Sequence, residues 1–287
     1  MANLTDLSTI RDLCARYDFS LSKGFGQNFI VNPGVCPKIV AAAGIDKAWG
    51  VLEIGPGIGV LTKELARAAG RVVAVEVDKR LPPLLAETLA EFDNVEIVLQ
   101  DILKVDIAAL IREKFGGMPV AVCANLPYYI TSPILMRLLE EKLPIKRITV
   151  MVQKEAAQRI CAAPGSREAG AISCAVAYYA VPRLLFTVQP GSFYPPPKVT
   201  SAVIGLEVRE TPAVDTPDEA GYFGLIRAAF SQRRKTAANA VSGALGVPKA
   251  EVTAALEAAG LPAAARPEQL TLEDFCRLQR ALAAQRG

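Results

Sequence analysis

At 287 residues the chain exceeds the usual single-domain size, so one full domain with a smaller appendage is the natural expectation. With 51% apolar and 21% charged residues it is too hydrophobic for a disordered chain, yet no apolar run approaches the roughly 20 residues a membrane helix needs. The net charge of +3 does not by itself identify a nucleic-acid binder, and the absence of histidine excludes every hydrolytic triad that uses imidazole as its base.

Residues 1–18 contain Asp6, Arg11, Asp12 and Arg16 and no continuous apolar stretch, so no export or organelle signal is expected and the cytoplasm is the expected location. Cys14, Cys36, Cys123, Cys161, Cys174 and Cys276 lie far apart with no C-x-x-C pair. Reduced buried thiols are expected, and no metal site.

From Gly50 onward, short β-branched runs alternate with helical patterns. Residues 51–54, 71–76, 95–99, 119–124 and 147–152 read as strands, which predicts a βαβ series and a mostly parallel sheet. Right-handed crossovers and the need to bury near-continuous apolar strands put helices on both faces, a doubly wound α/β fold. Residues 155–179 read as helices broken at Ala163-Pro164-Gly165, and two further strands follow at 183–188 and 201–208, joined by the proline-rich stretch 190–197. Joined without a helix, these two are expected to form a terminal antiparallel hairpin on a seven-stranded sheet. Residues 211–217 read as a linker, and the alanine-rich segments beyond, separated at 243–248 and 260–267, predict a small all-helical domain. The expected domains are 1–208, including an N-terminal segment 1–45, and 209–287.

Between the first strand and a helix starting near Val60 lies Glu53-Ile54-Gly55-Pro56-Gly57-Ile58-Gly59. Its spacing departs from the dinucleotide fingerprint, whose third glycine would fall at Val60, so a nicotinamide or flavin cofactor is disfavoured. S-adenosylmethionine carries no pyrophosphate and suits the loop better, with Gly55, Gly57 and Gly59 letting the backbone pass close to a ligand. Glu76, ending the second strand, is placed to take both ribose hydroxyls, and Asp101, just after the third, to accept from an adenine amino group. A strand-end carboxylate is as often a helix cap or turn residue. The reading rests on three successive strand ends together, because those ends form the binding crevice of an open sheet.

The fourth strand ends in Asn125-Leu126-Pro127-Tyr128. An exocyclic amine such as N6 of adenine is a poor nucleophile, its lone pair being delocalised into the ring. A site that methylates it needs acceptors for its N–H groups more than it needs a strong base. The side-chain oxygen of Asn125 and the carbonyl of Leu126 supply two acceptors, Pro127 fixes the turn, and Tyr128 offers a face for an unstacked base. Taken alone, an Asn-containing turn into a helix near Thr131 would explain the same residues. Phe193, in the run Ser192-Phe193-Tyr194-Pro195-Pro196-Pro197-Lys198-Val199, could close the base from the other side or anchor the loop by packing. The acid-free window between Glu219 and Glu251 holds Arg227, Arg233, Arg234, Lys235 and Lys249, either a nucleic-acid grip or solvated surface.

These motifs together resemble the rRNA adenine N6-dimethyltransferases. The resemblance runs nearly end to end, through Gly26-Gln27-Asn28-Phe29-Ile30, the loop 53–59, Glu76, Asp101, Asn125 to Tyr128, Phe193 to Ser201 and Ser231-Gln232-Arg233-Arg234-Lys235-Thr236. It implies a class I methyltransferase sheet, with Asn28, Ile30, Gly55, Gly57, Glu76, Asp101 and Asn125 at the methyl donor. It further implies Asn125, Leu126, Pro127, Tyr128 and Phe193 at the target base, and Arg233, Arg234 and Lys235 on RNA. The implied reaction is dimethylation of two adjacent adenines of small-subunit rRNA on a partly assembled 30S subunit, by a monomer needing no metal. Ile30 stands where the family usually has leucine, and Ala238 where a basic residue often follows the Arg-Arg-Lys-Thr run. Related large-subunit RNA methylases share the tetrapeptide, and a non-enzymatic RNA-binding factor on the same fold is the alternative from another class.

Overall fold

Burial along the strands sets the architecture. Every residue of β2 (Gly50–Ile54) is buried, and β3 (Arg71–Glu76) and β5 (Val120–Asn125) are almost as dry. Strands buried on both faces need layers on both sides. The computed structural model describes residues 3–20, 28–232 and 234–285. In chain order, α1 (Leu7–Arg16), the two-residue β1 (Phe29–Ile30) and α2 (Val35–Ala43) precede β2. Then α3 (Val60–Ala68), β3, α4 (Leu81–Thr88), β4 (Val95–Leu99), α5 (Ile107–Phe115), β5, α6 (Thr131–Glu140) and β6 (Ile145–Gln153) alternate. After α7 (Lys154–Ile160) and α8 (Ala171–Tyr179) come β7 (Ala180–Val188), β8 (Phe193–Tyr194) and β9 (Ser201–Val208). The chain ends in α9 (Glu219–Ala229), α10 (Ala237–Leu245), α11 (Lys249–Ala258) and α12 (Leu272–Ala284).

The seven-stranded sheet has the order β4-β3-β2-β5-β6-β9-β7. Pairings from β4 through β6 are parallel, and β9 runs antiparallel to β6 from Arg147↔Glu207 to Gln153↔Ser201. The fold is thus the doubly wound, mostly parallel sheet predicted from the strand series, as the resemblance also implied. The last strand inserts between β6 and β7 instead of lying outside them. Val51, Val72, Cys123, Met151 and Val203 pack against α2 and α3 in one cluster, while Leu52 and Ile54, pointing to the other face, are equally buried. Outside the main sheet, β1 and β8 form an antiparallel bridge, Phe29↔Tyr194 and Ile30↔Phe193.

The chain divides into two compact units, residues 1–157 with 183–208, and residues 158–182 with 209–287. One edge of the division falls at 208/209. The stretch 158–182, expected within the first domain, groups instead with the C-terminal helices. The cause is aromatic packing: Tyr178 and Tyr179 of α8 meet Tyr222 and Phe223 of α9, with ring centroids 5.0 Å apart for Tyr178–Phe223 and 5.5 Å for Tyr179–Phe223. The Tyr179 hydroxyl adds a hydrogen bond to Glu219 at 2.7 Å. Within this second unit, Asp218, Thr236 and Thr271 cap α9, α10 and α12 with their side-chain oxygens.

Candidate active site

The carboxyl ends of β2, β3, β4 and β5 open into a cavity of about 350 Å³, within the range of small-molecule sites. Its walls come from the strand-end loops and from Asn28, Phe29 and Ile30 of the N-terminal segment. After β2, Gly57 and Gly59 both hold positive φ, +58° and +92°. A Cβ at Gly57 would stand 3.2 Å from the Phe29 ring, and one at Gly59 would stand 3.1 Å from Leu89, so only glycine leaves the loop both its turn and its clearance. Gly59 also starts α3 in the left-handed conformation.

Glu53 sits beneath this loop with 1% of its surface exposed. Burial pushes its carboxyl up to about 8; the nearby Thr62 hydroxyl opposes that rise and the charge of Glu76 adds to it. Neither Glu53 Oε2 nor Thr62 Oγ1 has a well-directed hydrogen-bond partner among the described residues. Glu76, at the end of β3, accepts the backbone N–H groups of Val77 at 2.8 Å and Asp78 at 2.7 Å. Burial raises its pKa above the ordinary value, and those N–H groups pull against the rise.

Asp101 follows β4, its Oδ1 accepting the Leu103 N–H at 2.9 Å. The loop it opens is held from α6: Arg137 donates to the carbonyls of Ile102 and, at 2.7 Å, Val105, while its Nε donates to Glu141 at 2.6 Å.

Asn125 closes β5. Its side-chain Nδ2 donates to the carbonyl of Asn28 at 3.3 Å, which assigns the nitrogen end of the amide to that contact and leaves the oxygen end for another partner. The Leu126 N–H is spent on Met151 at 3.1 Å, and no described donor takes the Leu126 carbonyl. Pro127 stands at φ −59°, ψ 127°, ahead of a short 3-10 turn, Tyr128–Ile130, that leads into α6. Tyr128 is half-buried, and its hydroxyl lies 2.6 Å from Ser201 Oγ; burial raises its pKa and the Ser201 contact lowers it.

Asn28, Ile30, Gly55, Gly57, Glu76, Asp101, Asn125, Leu126, Pro127 and Tyr128 therefore all line one cavity. Phe193 does not. It is 3% exposed and packs in the core with Ile30, Val188 and Val203. Its pairing with Ile30 in the β1–β8 bridge holds it there, in the packing role that the sequence also allowed. Tyr129, passed over in the sequence, lines the cavity instead. Gly26 and Gln27 lie outside the described residues, as does Arg233. Arg234 and Lys235 are exposed in the turn between α9 and α10, immediately before Thr236 caps α10. Ala238 is 1% exposed, so a basic side chain at that position would point into the helical core. Among the described residues no cluster of histidine, cysteine or acidic groups could hold a metal, and no helix is long and apolar enough to cross a membrane.

A family model described as ribosomal RNA adenine dimethylase matches residues 18–284. The chain is 49% identical over 281 residues to ribosomal RNA small subunit methyltransferase A of Lachnoclostridium phytofermentans, covering 97% of each protein. It is 47% identical over 276 residues to the protein of the same name from Geobacillus thermodenitrificans, covering 95% of this chain and 94% of that one. Among solved structures, a dimethyladenosine transferase from Plasmodium falciparum matches with a TM-score of 0.73 at 28% identity, over 87% of this chain and 95% of that one. The 23S rRNA methyltransferase ErmE matches with a TM-score of 0.68 at 28% identity, over 89% and 100%.

Proposed function

The chain belongs to the ribosomal RNA adenine dimethylase family, and from that premise we propose how its cavity dimethylates N6 of two adjacent adenines of small-subunit rRNA. When bound, S-adenosylmethionine supplies a methyl group carried on a sulfonium centre. The cavity suits that molecule: glycines at 55 and 57 bring backbone close, Glu76 and Asp101 present carboxylates at neighbouring strand ends, and Glu53 Oε2 is a buried polar atom without a hydrogen-bond partner among the described residues. Asn28, Ile30, Gly55, Gly57, Glu76, Asp101 and Asn125 are the residues that would hold it.

The observation that carries the catalytic reading is the hydrogen bond from Asn125 to the Asn28 carbonyl. It orients Asn125 so that Oδ1 is available, with the Leu126 carbonyl beside it, as acceptors for the two N–H groups of an adenine amine. Held by both, the amine rotates its lone pair out of conjugation and toward the methyl donor. The Tyr128 ring, fixed through its hydroxyl, receives the face of the unstacked base. The proton released after transfer passes to water, since the amine is acidified once alkylated and no strong base is required.

Arg234 and Lys235 are the described members of the RNA grip, and Arg233 completes the run. The protein acts as a cytoplasmic monomer on a partly assembled 30S subunit. The similarity to the large-subunit enzyme ErmE, at 28% identity, is outweighed by curated relatives of the small-subunit type at 49% and 47%.

The test is transfer of labelled methyl from S-adenosylmethionine to small subunits lacking the modification. Asn125→Ala is expected to lower kcat by about two to three orders of magnitude, on the order of 3–4 kcal/mol of transition-state stabilisation. Unchanged transfer by that variant would remove Asn125 from the reaction. Cofactor binding by the wild-type chain with no methyl reaching any RNA would favour a non-enzymatic binding factor.

A further inference from the structure

Tyr129 is the most exposed large apolar side chain among the described residues, at 61%. It nevertheless stands on a hydrogen-bonded turn. Ile130 N–H bonds to the Pro127 carbonyl at 3.2 Å, the Thr131 hydroxyl donates to the same carbonyl at 3.3 Å, and the neighbouring Tyr128 is anchored to Ser201. The Tyr129 hydroxyl and ring have no partner among the described residues, while the residue lines the cavity mouth. A lone exposed tyrosine on a flexible surface needs no explanation. A bare ring on a rigid backbone beside a base-binding cavity is a preorganised stacking platform, which loses little conformational freedom when a base settles on it.

The occupant follows from the substrate. The reaction visits two adjacent adenines, so whichever base is in the cavity has the other one phosphodiester step away. Tyr128 and Tyr129 are one residue apart, with Cα atoms about 3.8 Å from each other, and Tyr128 is the ring assigned to the target. We infer that Tyr129 stacks the neighbouring adenine while the target is held at Asn125 to Tyr128, so that the strand stays in register between the first and the second base. This rests on the reading of residues 125–128 as the target-base site.

The experiment uses the full chain, small subunits lacking the modification, and mass-resolved counting of methyls on each adenine at partial conversion. Tyr129→Ala is expected to raise KM for subunits about tenfold with a smaller fall in kcat, and to increase the fraction of subunits carrying methyls on one adenine only. Tyr129→Phe and Tyr129→Trp should restore both quantities toward wild type, because each keeps a stacking face. Being exposed, the position tolerates these changes without loss of fold, which the unfolding midpoint verifies. Wild-type KM and methyl distribution in Tyr129→Ala would overturn the inference, as would a Phe variant as impaired as Ala, which would place the effect on the hydroxyl. Absence of adenine methylation by the wild-type chain would instead overturn the target-site reading, and needs no variant to detect.

Discussion

The Tyr128 hydroxyl lies 2.6 Å from the hydroxyl of Ser201, a fully buried residue at the start of β9. One ring of the proposed base site is thereby tied to the antiparallel strand inserted in the sheet. Ser201→Ala removes the tie and leaves the phenol without its partner. It is expected to cost about 1 kcal/mol of stability and to lower kcat severalfold while S-adenosylmethionine affinity stays near wild type. Denaturant unfolding, calorimetric binding and methyl transfer measure the three. Adding Tyr128→Phe should then cost less than it does alone, as coupled partners require; additive losses would mean the two hydroxyls act separately.

Glu53 gives the ligand-free protein a pH signature. Its carboxyl is raised to about 8 from an ordinary 4.5, chiefly by burial, so folding favours the neutral form. Its contribution to stability is complete below about pH 4.5 and is lost as pH rises through 8. Glu53→Gln, which cannot ionise, should lose less stability than wild type over that interval, the gap reaching the order of a few kcal/mol at its upper end. Unfolding free energies measured across the range check this, and parallel curves for the two proteins would refute it.

Arg137 reaches from α6 to two carbonyls of the loop after Asp101. Arg137→Met leaves those carbonyls unpaired and should weaken S-adenosylmethionine binding about tenfold, with kcat at saturating donor affected less. Arg137→Lys should fall between, since an ammonium is a compact charge that does not reproduce the planar fork spanning two acceptors. Calorimetric titration measures both variants, and wild-type affinity in the Met variant would show that the loop holds its shape unaided.

Arg234 and Lys235 are exposed ahead of α10. If each neutralises one phosphate, replacing either by alanine lowers the slope of log affinity against log salt by about 0.7 to 0.9. Binding to subunits across a salt series reads this directly; an unchanged slope would take both residues off the RNA backbone.

The sequence carried the sheet well because its signals are local. Residues 71–76, 95–99 and 201–208 read as strands and are strands with those bounds. The glycine loop and the Asn-Leu-Pro-Tyr turn were legible for the same reason, each being a contiguous stretch whose residue types fit one use. What escaped depends on partners distant in the chain. Phe193 looks like any loop aromatic until Ile30 pairs with it and turns it into the core. The tyrosines of α8 pack on α9, so residues 158–182 group with the helical unit although sequence order puts them before the last strands. Tyr129 carries no periodic or compositional mark, and only its exposure on a fixed turn distinguishes it from a core residue.

The bridge between β1 and β8 bears on how the protein is made. Asn28, whose carbonyl accepts from Asn125, precedes a strand of two residues that pairs, among the described residues, with Phe193 and Tyr194 alone. The adjoining Val31 and Asn32 are held by Ser192, which lies 160 positions beyond Asn32. A growing polypeptide that has emerged only as far as β6 can pair its parallel strands, pack Phe29 beside Ile58 and Leu81 and bond Asn125 to Asn28, but it lacks the strand that pairs with Phe29 and Ile30 and the Ser192 carbonyl that holds Val31. The backbone bonds that fix residues 29–32 are therefore completed only once the stretch after β7 has left the ribosome.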